Sequence, residues 1–217
     1  MANPNAPFGF AESHRLGAAP NYQNSRRYIS PTYGTSLFFG DPVISLAGYV
    51  TQGTPAAIGS GGGPNVCGIF IGCEYMSISQ KKWIPNMMWT GGGADAVNSG
   101  SGFDVWAKII DDPETVFRVQ ANGIVTQAMV GLLATYVNGT GSTATGRSGA
   151  MLDITTNAPT ASPPTGTNLA YPFKIVDLVR DPPGTPGADI TTAYNWAYVT
   201  FNQQTFRAVS GSATIGN

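Results

Sequence analysis

The stretch "KIIDDPETVFRVQANG", Lys108 to Gly123, decides how the chain is read. Three of the twelve acidic residues fall within four positions, Asp111, Asp112 and Glu114, around Pro113. Paired carboxylates are the raw material of glycosidases and hard-metal sites. The flanks point elsewhere. "GFDVWAKII" before the cluster and "TVFRVQ" after it alternate like strands. Asp opens turns, Pro presets φ at the second turn position, and Asp side chains bond the turn backbone. The acidic run therefore reads as a corner between two strands.

Working outward, the same signals recur. "TSLFFGDPVISLAGYV" reads as strand, Gly-Asp-Pro turn and strand, and "VCGIFIGCEYMSI" as a long buried strand. "LLATYV", "AMLDI", "FKIVDLV" and "AYNWAYVTFNQQTF" add further strands. One helical turn is expected after Thr126 as N-cap. Long loops are expected at 51–65, 80–102 and 155–170, where Gly, Ser, Thr and Pro collect. The sum is eight to ten strands, at most one short helix and no βαβ rhythm. The fold class is all-β: a β-barrel or jelly-roll body over residues 31–217.

Residues 1–30 read differently. They mix Asn, Gly and Pro with Phe8, Phe10, Tyr22 and Tyr28, and carry Arg15, Arg26, Arg27 and the only histidine, His14. No strand or helix period runs through them, so an extended N-terminal arm that orders on a partner is expected.

Composition restricts the chemistry. The chain has 217 residues, 42% hydrophobic but only 11% charged, with net charge −1. No basic field would steer it to nucleic acid, so no direct nucleic-acid partner is expected. "MANPNAPFGF" lacks the basic and apolar regions of a signal peptide, and no long apolar run suits a membrane span. Synthesis and residence in a cytoplasm are expected. Cys67 and Cys73 lie six apart, about 20 Å at strand rise, too far for a disulfide. They read as buried free thiols. One histidine cannot supply a zinc set, and "IGSGGGPN" lacks the Lys of a P-loop. No cofactor, metal or catalytic set is expected. The enzymatic alternative is a glycosidase on Asp111, Asp112 and Glu114, whose carboxyls would have to stand about 5–10 Å apart across a cleft. "KKWIPNMMWTGGG" is a loop rich in Trp83, Met87, Met88 and Trp89, a possible subunit contact. A carbohydrate-binding alternative would need Trp83 and Trp89 to line one groove.

Several segments in order resemble the decoration (cement) proteins of tailed double-stranded DNA phages. They are "ANPNAPFGF", "YISPTYGTSLFFGDPV", "GIFIG", "DDPETVFRVQANG", "GSTATGRSGAMLDI", "FKIVDLVRDPPG" and "YNWAYVTFN". The resemblance implies a β-barrel or jelly-roll body that forms a homotrimer on the outer capsid surface of the virion. There it would clamp neighbouring major capsid proteins. It also implies that Phe8, Phe10, Tyr22 and Tyr28 anchor the arm on capsid protein, and that Arg15, Arg26 and Arg27 pair with acidic capsid surface.

Overall fold

The computed structural model describes residues 2–17, 24–30, 32–54, 66–91, 95–96, 105–162, 171–182, 185–202 and 204–205. Twelve strands lie among them: β1 Ala11–Arg15, β2 Ser25–Ile29, β3 Pro42–Leu46, β4 Tyr49–Gln52, β5 Val66–Met76, β6 Trp83–Asn86, β7 Val105–Ile110, β8 Thr115–Gln120, β9 Leu133–Val137, β10 Met151–Asp153, β11 Phe173–Leu178 and β12 Trp196–Phe201. The expected all-β barrel body is present. Strands β3-β4-β2-β7-β5 pair in that order, and β5 pairs back onto β3, which closes a five-stranded barrel. The sixth strand, β6, adds to the outside of β5. All barrel pairings are antiparallel except β2 with β4.

Local chemistry makes these staves. In β7, Val105, Ala107 and Ile109 turn inward and are buried, while Trp106 and Lys108 alternate outward. The β3–β4 hairpin turns on Ala47 and Gly48, both at positive φ (49° and 84°), the conformation of the two-residue turns that match strand twist. Inside the barrel, Ile29, Val43, Val50, Cys67, Phe70, Cys73, Val105, Ala107 and Ile109 meet Leu37 and Trp89. Both thiols are free and buried as expected, and burial pushes each up to about 12.

The second sheet runs β1-β8-β12-β11-β9-β10. It packs Phe117, Val119, Phe173, Ile175, Val199 and Phe201 against the outside of the barrel wall, at Val66, Ile69, Ile71 and Ile110. Strand β5 therefore serves two cores. Cys67, Phe70 and Cys73 point into the barrel, while Val66, Ile69 and Ile71 point to the second sheet. Two register shifts allow this three-residue spacing, one against β3 and one between Phe70 and Gly72 against β7. Gly72 has φ +141°, and a Cβ there would stand 2.9 Å from the Asn86 carbonyl oxygen. Only glycine fits that bulge.

The acidic corner is where the chain leaves one layer for the other. Strand β7 belongs to the barrel and β8 to the second sheet, so the corner read between two strands is a crossover from one sheet to the other. Its carboxylates hold the crossing. The Glu114 N–H donates to Asp112 Oδ1 at 3.0 Å. Arg15 of β1 pairs with Glu114 at 2.7 Å and with Asp112 at 3.4 Å. Arg27 and Ser25 of β2 both donate to Asp111.

The described residues among 1–30, which are 2–17 and 24–30, do not form an arm outside the body. Asn3 is buried and its side-chain amide donates to the Asp189 carbonyl at 2.8 Å and to Thr192 Oγ1 at 3.0 Å. The Ala6 N–H donates to Gln120 Oε1, and Gln120 returns a bond to the Pro4 carbonyl. Phe8 meets Trp196 edge-on at 4.9 Å. Phe10 is 1% exposed and stacks on Phe173 at 4.4 Å. Strand β1 then edges the second sheet, and β2 is a barrel stave. A boundary after residue 30 would cut between that stave and its barrel.

Two loop expectations change as well. Within 80–102, Trp83–Asn86 is an edge strand, where Pro85 costs no ladder bond that a central strand would need. The helical turn is a 3-10 turn at Gln127–Met129, and Thr126 makes no side-chain cap. Of the other loops, 55–65 and 163–170 lie outside the described residues.

Deleting residues 1–30 removes a closing stave and Phe10, so the product should be unfolded by circular dichroism. Phe10→Ala alone should cost about 3–5 kcal/mol in urea unfolding, the usual range for truncating a buried Phe.

Candidate functional site

Strand register assembles a row of side chains across the outside of the barrel. Leu46 lies opposite Tyr49, Tyr49 beside Tyr28, Tyr28 opposite Trp106, Trp106 opposite Glu74, and Glu74 opposite Pro85. Each of the six strands contributes one residue. Paired residues project to the same side of a sheet, and the neighbouring positions Ile29, Val50, Val105, Ala107 and Cys73 fill the interior. The row therefore faces solvent. Leu46 is 60% exposed and Tyr28 49%.

Strand β6 extends this face with Trp83 and Pro85, and Met87 just after it continues the alternation, all three exposed. Trp83 stacks on Trp106 with ring centroids 4.7 Å apart and planes at 26°. The Arg26 guanidinium carbon lies 4.6 Å from the Trp106 ring. The face is thus an aromatic ladder with an arginine laid on it, an arrangement worth about 0.5–1.5 kcal/mol per contact.

Charge follows the same register. Arg26 sits opposite Lys108, a repulsive pair that Glu74 relieves: Lys108 donates to Glu74, and Arg26 stands 3.7 Å from it. The Lys108 hydrogen bond, then the charges of Lys108 and Arg26, hold the Glu74 carboxyl below its ordinary value despite partial burial. Lys81 and Lys82 are exposed on the turn before β6. Asp95 is tied to that turn through Ser77 and Ser79. Four cations stand against two acids here, on a chain of net charge −1.

The sequence-predicted contact residues divide sharply. Arg26, Tyr28, Trp83 and Met87 lie on or beside this face. Phe10 and Trp89 do not: both are buried in the chain's own cores, Trp89 at 0% exposure with its Nε1–H donating to the Tyr33 carbonyl at 3.0 Å. A groove lined jointly by Trp83 and Trp89 does not exist. Phe8 is spent on Trp196 and Arg118. Arg15 and Arg27 are engaged with the acidic corner. Met88 is half-buried, and its carbonyl accepts from Cys73. Tyr22 lies outside the described residues. Sequence reasoning missed Leu46, Tyr49 and Trp106. The outward phase of Trp106 in "VWAKII" was the available signal for one of them.

Elsewhere the polar groups are structural. Asp41, 2% exposed, accepts from Ser148 Oγ and the Phe38 N–H, and burial raises its carboxyl above the ordinary value. Buried Asp153 is satisfied by Asn122, Thr156 and Asn157. Among the described residues no group of three His, Cys, Asp or Glu is placed to hold a metal ion. Compared with known proteins, the chain matches no family model, no curated protein and no solved structure.

Two outcomes test this geometry. Trp89→Ser should cost several kcal/mol in chemical unfolding, whereas Trp83→Ser should cost about 1 kcal/mol, the scale of one lost aromatic contact. Glu74 is a carboxyl lowered by folding, so its contribution is present above the ordinary carboxylate value and lost as pH falls through the folded value. The urea-midpoint difference between the protein and Glu74→Gln should therefore shrink between about pH 6 and about pH 3.

Proposed function

We propose that the chain is a structural virion protein. In this reading it binds the outer surface of a tailed-phage capsid as a homotrimer and ties neighbouring major capsid proteins together. The observation that carries the reading is the solvent-facing row of Leu46, Tyr49, Tyr28 and Trp106, continued by Trp83 and Met87, on a body with only 11% charged residues. Exposed apolar ground of this kind marks a protein contact. A trimer presents it three times, and linked contacts raise avidity without requiring a tight single site. The segment resemblance supplies the class of partner.

A carbohydrate-binding reading has less support. Trp83 and Trp106 stack on each other and Arg26 lies on Trp106, so the ring faces that a sugar would use are partly occupied.

The test is co-sedimentation. Purified protein should run as a trimer in analytical ultracentrifugation and pellet with expanded, empty capsids of the phage that encodes it. A protein that stays in the supernatant at micromolar concentration with those capsids sinks the reading.

A further inference from the structure

Two faces of this fold carry aromatic side chains to the outside, and they differ in what covers them. On the second sheet, Trp196 receives the edge of Phe8 and the Arg118 guanidinium at 4.8 Å, with the Gly187 backbone against its ring. Tyr198 receives His14 at 5.4 Å. Around these two rings the chain's own Phe8, His14 and Arg118 provide the cover, while Lys174 on the same face stays exposed. On the barrel, Leu46, Tyr28, Trp83 and Met87 stay exposed, at 60%, 49%, 38% and 47%.

We infer that the barrel face spanning Leu46, Tyr28, Trp106 and Trp83 is the surface applied to capsid protein, and that the patch it covers is apolar with a rim of carboxylates. The inference rests on the capsid reading above and names the side and chemistry of its contact. Two observations set the partner's character. The aliphatic residues Leu46 and Met87 call for apolar protein surface. Arg26, Lys81, Lys82 and Lys108 outnumber Glu74 and Asp95, so the complementary rim is acidic. A single-stranded nucleic acid fits less well. Its bases need open ring faces, and here the two tryptophans face each other with Arg26 on one of them. Arg26 has a central role: it already lies on Trp106 and beside Glu74, and such stacking reduces the rotamer freedom lost when it meets a carboxylate.

The experiment compares the full-length protein with Tyr28→Ser/Trp83→Ser, Arg26→Glu, Lys82→Glu and, on the exposed side of the second sheet, Lys174→Glu. Circular dichroism and sedimentation velocity establish that each variant folds and report its oligomeric state. Binding to the encoding phage's expanded, empty capsids is then titrated at low and high NaCl. The double variant and Arg26→Glu should each weaken binding by about tenfold or more, the effect of losing an interface anchor. Lys82→Glu should weaken it mainly at low salt, and Lys174→Glu should bind as the parent does. Barrel-face variants that bind like the parent, or a Lys174→Glu loss of equal size, would overturn the face while leaving the capsid reading in place. A parent protein that does not bind capsids overturns both. Two further results also overturn the assignment: barrel-face substitutions that dissolve the oligomer but spare capsid binding, which give the face to a second copy, and competition by oligodeoxythymidine at equal mass, which gives it to a nucleic acid.

Discussion

The structure depends on a wall that is apolar on both sides. Strand β5 must fill the barrel with Cys67, Phe70 and Cys73 and cover the second sheet's core with Val66, Ile69 and Ile71. A strand with strict two-residue alternation could bury two faces, but not with these residues in this register. The bulge at Gly72 and the shift against β3 rephase the strand twice. Once the wall is set, the positions of the other layers follow. Ile110 ends β7 on the second-sheet side, the chain crosses at Asp111–Glu114, and β8 starts the other layer. The arginines that meet the crossing come from β1 and β2, one from each sheet. The corner thus joins the layers by charge where the backbone joins them covalently.

The N-terminal segment has a related role. Asn3, Phe8 and Phe10 fasten residues 3–10 along the outside of β8 and β12 and then into the core beneath. Aromatics in a segment without visible period can signal a partner, and here the partner is the rest of the chain. With those rings covered, the barrel's Leu46, Tyr28, Trp83 and Met87 make up most of the exposed large apolar side chains among the described residues.

How much of this was legible in the residues varies by element. Strands β7, β8, β11 and β12 were, because their apolar positions alternate and turn residues bound them. β1 and β2 were not. "AESHR" is an edge strand with no buried apolar residue, and in "SRRYI" the inward-pointing Arg27 breaks the pattern because it pairs with Asp111. β6 was hidden by Pro85, which only an edge accommodates. The acidic corner was recognisable as a turn, but its crossing between sheets depends on pairings with distant strands. The outer row was the least legible part. Leu46, Tyr49, Tyr28 and Trp106 come from four strands, with 78 positions between Tyr28 and Trp106, and only the register, including the parallel β2–β4 contact, brings them side by side. Conversely, Trp89 looked like part of a sticky loop and is core, because its bridge to Leu37 draws it into the barrel.

The bond from Asn3 to Thr192 spans 189 positions. Strands β1 and β8, β8 and β12, and β2 and β7 also join segments far apart in the chain. All five barrel staves and the barrel's interior core lie between residues 25 and 110, whereas the second sheet is complete only once β12, Trp196–Phe201, has been made. On the ribosome the first half of the chain therefore has the strands to close the barrel early, with the outer face of β5 and the edge strand β1 still uncovered. Those surfaces wait for residues around 196–201, and long-range pairings of this kind slow folding and leave sheet edges open to aggregation in the interval. The order of synthesis thus makes the barrel the template on which the later sheet is laid.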